Sequence, residues 1–301
     1  MSSPTVAVVI PAYNRPDDLL RALQSVAAQS RPANEVVVCD DGSKEDLSAV
    51  IAAFESRLPL RCVRIPNSGG PARPRNVAVE HTSSDWIALL DADDWWEPSK
   101  LAAVYPALER SEVVYHKLRS VCDERGYGVH RRVIGWNTLS ARAALYDLLT
   151  IGNPIPASSA LVRRELYGRV GGMQHSPATV EDFDFWAKVA LHGARFEFVD
   201  RILGHYQITP NSRSSTFLSH AGYFQEMFAR YEPHFDPAQI KAVVAFKHYL
   251  VGIQYMHGSE WVQARAHLER AADLRLARQR ISRLAKLLRV SLRMMRAGAP
   301  R

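Results

Sequence analysis

The stretch Trp86-Ile87-Ala88-Leu89-Leu90-Asp91-Ala92-Asp93-Asp94 decides how the chain is read. Its first five residues are apolar without interruption, which is the length and character of a strand covered on both faces. Carboxylates follow at once, with Asp91 and Asp93 separated by one alanine. They fall at the strand's carboxyl end, where open α/β sheets bind ligands. Hard cations such as Mg2+ and Mn2+ take oxygen ligands and are usually held by one or two carboxylates together with substrate phosphates. Two carboxylates on a sheet rim therefore suit a divalent cation meeting a nucleotide diphosphate. The plain alternative is an acidic surface turn before Pro98, which opens the next helix.

Upstream, Val6-Ala7-Val8-Val9-Ile10 reads as an apolar strand broken by Pro11-Ala12-Tyr13-Asn14-Arg15-Pro16. Pro16 with Asp17 and Asp18 makes a good first helical turn, because proline suits the first position and acids suit the positive end of the helix dipole. Leu19, Leu20, Leu23, Val26 and Ala27 continue it with helical spacing. A second strand, Glu35–Cys39, ends in Asp40-Asp41-Gly42-Ser43 and leads into a helix over 44 to 56, with Ser43 as its cap. A third, Leu60–Ile65, ends in Pro66-Asn67-Ser68-Gly69-Gly70. Repeated strand-loop-helix units predict an α/β fold: a mostly parallel central sheet flanked by helices, with right-handed crossovers. Each loop leaves a strand's carboxyl end, so Tyr13, Asp41, Arg75 and Asp93 are expected on one rim.

Five motifs carry a resemblance: Pro11-Ala12-Tyr13-Asn14; Val38-Cys39-Asp40-Asp41-Gly42-Ser43; Asn67-Ser68-Gly69-Gly70-Pro71 with Arg75-Asn76; Leu90-Asp91-Ala92-Asp93-Asp94; and Glu181-Asp182-Phe183-Asp184-Phe185-Trp186. In order and spacing, over residues 5 to 210, they resemble glycosyltransferase family 2, the inverting nucleotide-sugar transferases of the GT-A fold. The resemblance implies a Rossmann-like nucleotide-binding half, an acceptor half, and a hexosyltransferase. Such an enzyme moves a sugar from a nucleotide diphosphate donor, a UDP-sugar, to a saccharide, lipid-linked or other hydroxyl acceptor in glycan, cell-surface polysaccharide or glycolipid synthesis.

It also implies roles. The loop Pro11, Ala12, Tyr13, Asn14 and the carboxylate of Asp41 would hold base and ribose. Asp91 would contact ribose or sugar hydroxyls, and Asp93 would ligate Mn2+ or Mg2+, with Asp94 behind it. Arg75 would serve the diphosphate or the base, or pair with a loop acid. Asp182 is placed as the general base with Glu181 as its neighbour; acids here also suit a helix start. Trp95, Trp96 and Trp186 are candidates for sugar stacking or for packing. Where the family often carries Tyr-Arg-x-His, this chain reads Tyr206-Gln207-Ile208-Thr209, so arginine and histidine are both missing. His205 and Arg213 are the candidate substitutes, and a weaker, more exchangeable metal site is expected.

Cys39, Cys62 and Cys122 form neither a disulfide framework nor a metal spacing, and the first two are expected in buried strands. A reducing, cytoplasmic location is expected, without a membrane span or signal peptide. Residues 1–214 read as the catalytic domain, with 1–100 binding the nucleotide-sugar and 101–214 forming the acceptor side and base. Within the latter, 115 to 160 should form the acceptor-side edge of the sheet. Residues 215–273 read as a helical appendage. In it Gly252, Tyr255, Ala264, Leu268 and Ala271 match one tetratricopeptide-like hairpin, which must pack on the catalytic domain or on a second subunit, as in a homodimer.

The chain has 38 Lys and Arg against 31 acids, a net charge of +7. Nine of those cations and no acid lie in 274–301, a basic amphipathic tail with Ala277, Ile281, Leu284, Leu288 and Met295 on one stripe. That composition suits the anionic inner face of a cell membrane, where each cation contributes about 1 kcal/mol, or a solvated tail. Two other classes remain open. A nucleotidyltransferase shares the Asp-x-Asp chemistry. A basic nucleic-acid-binding protein would explain the net charge, but the excess of cations over acids is confined to the tail, so no nucleic-acid partner is expected.

Overall fold

A computed structural model describes residues 3–122, 132–137, 139–140, 143–175, 180–208 and 217–296. The described residues divide into two compact units, one of 3–137, 154–175 and 181–208, the other of 139–153, 180 and 217–296.

The first unit is built on one sheet. Its strands are β1 (Val6–Ala12), β2 (Glu35–Asp40), β3 (Leu60–Arg64), β4 (Trp86–Leu89), β5 (Trp95–Trp96), β6 (Val113–Cys122), β7 (Val133–Ile134), β8 (Leu161–Arg163) and β9 (Phe196–Ile208). The order is β3-β2-β1-β4-β8-β6-β9-β5, with β7 beside β6. β3, β2, β1 and β4 run parallel, β8 is antiparallel to both β4 and β6, and β9 is parallel to β6. In the second unit and between the strands lie the helices α1 (Pro16–Ala27), α2 (Ser48–Ala52), α3 (Ala72–Glu80), α4 (Lys100–Val104), α5 (Ala144–Ile151), α6 (Arg164–Arg169), α7 (Glu181–Leu191), α8 (Phe217–Tyr231), α9 (Gln239–His257), α10 (Trp261–Arg270) and α11 (Ala277–Arg296).

The expected apolar strands are buried along their whole lengths in β1 and β4, and α1 packs Leu19, Ala22, Leu23 and Val26 against them. β1 runs further than expected, through Pro11 to Ala12. The reason is parity. Val9 accepts from Leu90 on the β4 side and Ala12 accepts from Asp41 on the β2 side. Pro11 thus faces the β4 side, where pairing has already stopped at Val9–Leu89, and its missing N–H removes no ladder bond. The chain winds outward from β1 to β2 and β3, then returns to β4 on β1's other side. The rim beyond Val9 and Leu89 is therefore the point where strand order reverses, and a crevice is expected there.

Four local expectations are corrected or narrowed. The helix expected over 44 to 56 is only α2; ahead of it the N–H groups of Lys44 and Glu45 donate to Asn14 Oδ1 (2.6 and 3.4 Å). Ser43 does not cap it; its hydroxyl accepts from the N–H of Asn14 instead (2.9 Å). Cys62 is exposed, because β3 is the sheet's outermost strand on that side. Of the segment 115 to 160, β7 stands at an edge, paired with β6 alone, whereas β6 lies between β8 and β9 and α5 belongs to the second unit.

In the second unit α9 and α10 form an antiparallel pair in which Ala264 and Leu268 are buried and Gly252 sits under the Leu268 side chain. No helix among the described residues is long and apolar enough to cross a membrane.

Gly42 joins the loops that follow β2 and β3. Its φ is +74°, and a Cβ there would stand 2.7 Å from the backbone nitrogen of Asn67. Gly42→Ala should cost about 1–3 kcal/mol in urea denaturation. Gly168→Ala, in α6 with open space around it, should be neutral or stabilising by up to about 1 kcal/mol.

Candidate active site

The rim gathers residues from five separate loops and helix starts. Arg75, in α3, is 2 % exposed. Its Nη2 donates to Asp91 Oδ1 (2.5 Å) at the end of β4, and its Nη1 donates to Glu181 Oε1 (2.8 Å) in the first turn of α7. One guanidinium thus ties the Asp-x-Asp turn to the Glu-Asp pair, residues 90 positions apart in the chain. Burial disfavours the charge on Arg75, but the two carboxylates outweigh that and raise its pKa. The pairing with a loop acid that the sequence offered for Arg75 is formed, with Asp91 and with Glu181 as well.

Asp182 follows Glu181 and is half-buried; its Oδ1 accepts from the N–H of Phe183 (2.7 Å). Burial pushes its carboxyl up to about 7, with the neighbouring Glu181 adding to the shift and Arg75 opposing it. Such a group exchanges its proton near neutral pH, as a general base must. Phe183, Phe185 and Trp186 behind it are all buried. Trp186 donates its ring N–H to the Ile155 carbonyl (3.1 Å), so it presents no stacking face.

Asp93 sits across the turn. Its Oδ2 accepts from Arg15 Nη1 (2.7 Å), and its carbonyl accepts from Arg21 (2.9 Å). Burial and then Asp91 push its carboxyl up to about 6, against the pull of Arg15. Asp94 is committed elsewhere: it accepts from Ser158 Oγ (2.5 Å) and from the N–H of Gln207 (2.9 Å), and burial raises its pKa strongly. The same Ser158 Oγ accepts from the N–H of Asp91 (3.0 Å). One serine therefore sets the pitch of the whole turn.

These donors fit a hard divalent cation only as a shared site. Asp91 and Asp93 keep 27 % and 29 % of their side chains exposed and offer oxygen alone. No group of three or more His, Cys, Asp or Glu among the described residues could enclose a metal. Phosphate oxygens of a ligand would have to complete the coordination, which is how Mg2+ and Mn2+ are commonly bound.

The β1 and β2 loops form the other side of the rim. Tyr13 is 42 % exposed. Asn14 adopts φ +51° and uses its side chain to hold the β2 loop. Asp41 is buried; its Oδ1 accepts from the N–H of Ser68 (2.9 Å), and its carbonyl accepts from Asn67 Nδ2 (3.0 Å). Pro11 and Ala12 form the end of β1 beneath them. Trp96 is buried and donates to the Ser158 carbonyl (2.7 Å). Trp95 stacks on His205 at 4.8 Å under the Arg21 guanidinium. His205 Nε2 pairs with Glu97 (2.8 Å), so it stands in a local pair with Glu97 instead of joining the carboxylates. Arg213 and Thr209 lie outside the described residues.

Sequence reasoning passed over Arg15, Arg21 and Ser158. Arg15 stands between Asn14 and Pro16 in the first motif, and that position could have drawn notice. Ser158 sits in a stretch with no pattern of its own. A surface cavity of about 660 Å3 lined by Pro4, Arg31, Asn34 and Tyr105 holds none of the rim carboxylates; Arg31 lies over the Tyr105 ring in it.

Sheet order, rim and opposed carboxylates together define a GT-A type transferase. The chain belongs to glycosyl transferase family 2, whose model matches residues 7–171. Among relatives, an uncharacterized glycosyltransferase of Haemophilus influenzae is 26 % identical over 61 % of this chain and 61 % of its own length. The succinoglycan biosynthesis protein ExoU of Rhizobium meliloti is 29 % identical over 66 % of this chain and 60 % of its own. The matches thus span about three-fifths of those relatives. Residues 1–349 of TarS from S. aureus in complex with UDP-GlcNAc superpose with a TM-score of 0.67 at 20 % identity, covering 98 % of this chain and 92 % of that one. A mannosyltransferase of Pyrobaculum calidifontis in complex with GDP-Man and Mn2+ gives 0.61 at 22 %, covering 97 % and 81 %. At these identities the likeness concerns the fold.

Removing one member of a buried ion network strands the others. Arg75→Met should therefore destabilise the protein by about 3–5 kcal/mol, read as a lowered urea midpoint. An unchanged midpoint would show that Asp91 and Glu181 do not depend on it.

Proposed function

We propose that this chain transfers a hexosyl group with inversion from a nucleotide diphosphate sugar, a UDP-sugar, to a hydroxyl acceptor in cell-surface polysaccharide or glycolipid synthesis. The observation that carries this reading is the Arg75 bridge, which sets the Glu181-Asp182 pair against the Asp91-to-Asp93 turn. A base and a diphosphate site on opposite sides of one reacting carbon are what inverting transfer requires. Tyr13 and Asp41 receive the nucleoside. Asp91 accepts from ribose or sugar hydroxyls, and Arg75 positions both acidic groups from below. Asp93, with the donor phosphates, would hold Mn2+ or Mg2+, which when bound neutralises charge on the leaving diphosphate.

Asp182 takes the proton from the acceptor hydroxyl as that oxygen forms its bond to the anomeric carbon. The bond from that carbon to the diphosphate oxygen breaks, and its electron pair leaves with the nucleoside diphosphate. The apolar wall behind Asp182 keeps the base weakly solvated, so it captures a proton near pH 7. UDP-GlcNAc, the ligand of the TarS complex, is the first donor to test and GDP-Man, the ligand of the mannosyltransferase, the second. A thermal-shift panel of nucleotide sugars with Mn2+ identifies the donor, since ligand at 100 times its Kd stabilises by about 2.7 kcal/mol. Release of pyrophosphate instead of a nucleoside diphosphate would mark a nucleotidyltransferase and overturn the reading.

Asp182→Asn should lower kcat by roughly 10²-fold or more with donor affinity nearly unchanged. The unprotonated carboxylate is the active form, so the native rate should fall as pH drops below about 7. A profile flat from pH 5 to 8 would remove Asp182 from the role.

Asp93→Asn should weaken Mn2+-dependent donor binding and turnover together, read by calorimetric titration beside the rate assay. Full activity in excess chelator would rule out the cation.

A further inference from the structure

The helix α11 shows two different faces. One is packed within its own unit: Val290 is fully buried and Met294 nearly so, and Gln279 donates to the Thr150 carbonyl (3.0 Å). Arg283 donates to the Leu268 carbonyl (3.1 Å), and Lys286 to the Tyr249 hydroxyl (3.3 Å). The other face is apolar and bare. Ile281, Leu284, Leu288, Leu292 and Met295 are 68, 58, 63, 45 and 63 % exposed. Their spacing of three or four residues puts them on one stripe along the helix. Arg278 and Arg289, both exposed, follow one long edge of that stripe by helical spacing, exposed Arg293 lies further round over the Trp261 ring, and Arg280 lies on the other edge.

Two properties choose the occupant. The helix spans 20 residues, about 30 Å, but it is too polar to cross a membrane; its apolar stripe is narrow and its margins are cationic. Second, residues 274–301 contain no acid. A two-fold contact through this stripe would set each arginine edge beside another arginine edge, because a self-complementary interface repeats the same surface on both sides. A second copy is therefore disfavoured by its own charge. An anionic bilayer surface supplies both an apolar phase for the stripe and negative headgroups for its margins.

We infer that the outer face of α11 lies in the headgroup region of an anionic membrane and holds the protein there peripherally. The helix does this while docked, since its other face fills the core of its own unit. Deleting it would remove Val290 and Met294 from that core, so the experiment keeps the full chain and alters exposed positions alone.

Full-length protein is sedimented with vesicles of equal parts phosphatidylglycerol and phosphatidylcholine, and with vesicles of phosphatidylcholine alone. Binding is expected to the first and not to the second, and it should weaken as salt rises, because the attraction is screened within about 10 Å at 0.1 M. The double variant Leu284→Glu with Leu288→Glu should lose about tenfold or more in vesicle affinity. Its thermal midpoint and its donor hydrolysis should stay unchanged, since both side chains are exposed and outside the transfer site. Arg278→Glu with Arg289→Glu should bring the same loss, confined to anionic vesicles. Undiminished binding by either double variant overturns the inference, as does equal binding of native protein to both vesicle types. A native chain that is dimeric by light scattering, and that the leucine variant converts to monomer with vesicle binding intact, would assign the stripe to a second copy and likewise overturn it.

Discussion

The structure turns on a guanidinium that has almost no water around it. Arg75 can be buried only because Asp91 and Glu181 each accept a short, charge-assisted hydrogen bond from it. Those acids come from parts of the chain that local forces alone would not join. The pairing is therefore a long-range constraint: α3, the end of β4 and the start of α7 must all be in place before any of the three charges is satisfied. A buried pair of this kind is weak evidence of net stability. Its effect is on specificity, because a fold that misplaced α7 would leave Arg75 and Asp91 without their partner.

The same constraint sets the chemistry of Asp182. Its neighbour Glu181 stays paired to Arg75, so the negative charge beside Asp182 is partly cancelled and partly felt. Arg75 opposes the rise in the Asp182 pKa while burial and Glu181 drive it. The group is thereby held near neutrality, between an ordinary carboxylate and one too weakly acidic to ionise. On the other bank Ser158 and Gln207 immobilise Asp94, leaving Asp91 and Asp93 as the acids of that turn that still meet solvent. One turn of three aspartates thus presents two different chemistries, divided by which of them the interior has claimed.

Much of this was legible in the sequence because it rests on local patterns. The apolar runs of β1, β2 and β4, the proline and acids opening α1, and the position of Asp-x-Asp after a strand follow from periodicity and turn chemistry, and the fold has them where expected. What was illegible depends on distant partners. Nothing near Ser43 says that its hydroxyl will accept from the N–H of Asn14, 29 positions earlier, instead of capping a helix. Cys62 looks like a core residue until β3 proves to be outermost. The exposed stripe of the tail is legible as a stripe, but nothing in the sequence marks the opposite face, with Gln279, Val290 and Met294, as the one that packs. Lys100 is the sharpest case: it is fully buried with its ammonium 3.2 Å from the Trp96 ring, and burial drives its pKa well down. No sequence rule places a lysine there.

The outer strand β3 carries a consequence of a different kind. An open strand edge offers unpaired backbone groups to any other strand that drifts near, and sheets that leave such edges plain tend to polymerise. Here Arg64 reaches back to Asp40 (3.0 Å) and to the Ser43 carbonyl (2.7 Å), and Arg61 reaches to the His81 carbonyl (3.2 Å). Their charges stand along the edge, and a docking strand from another molecule would have to bury them. The sheet therefore ends at β3 on a charged edge, which is how sheets discourage a further strand from joining.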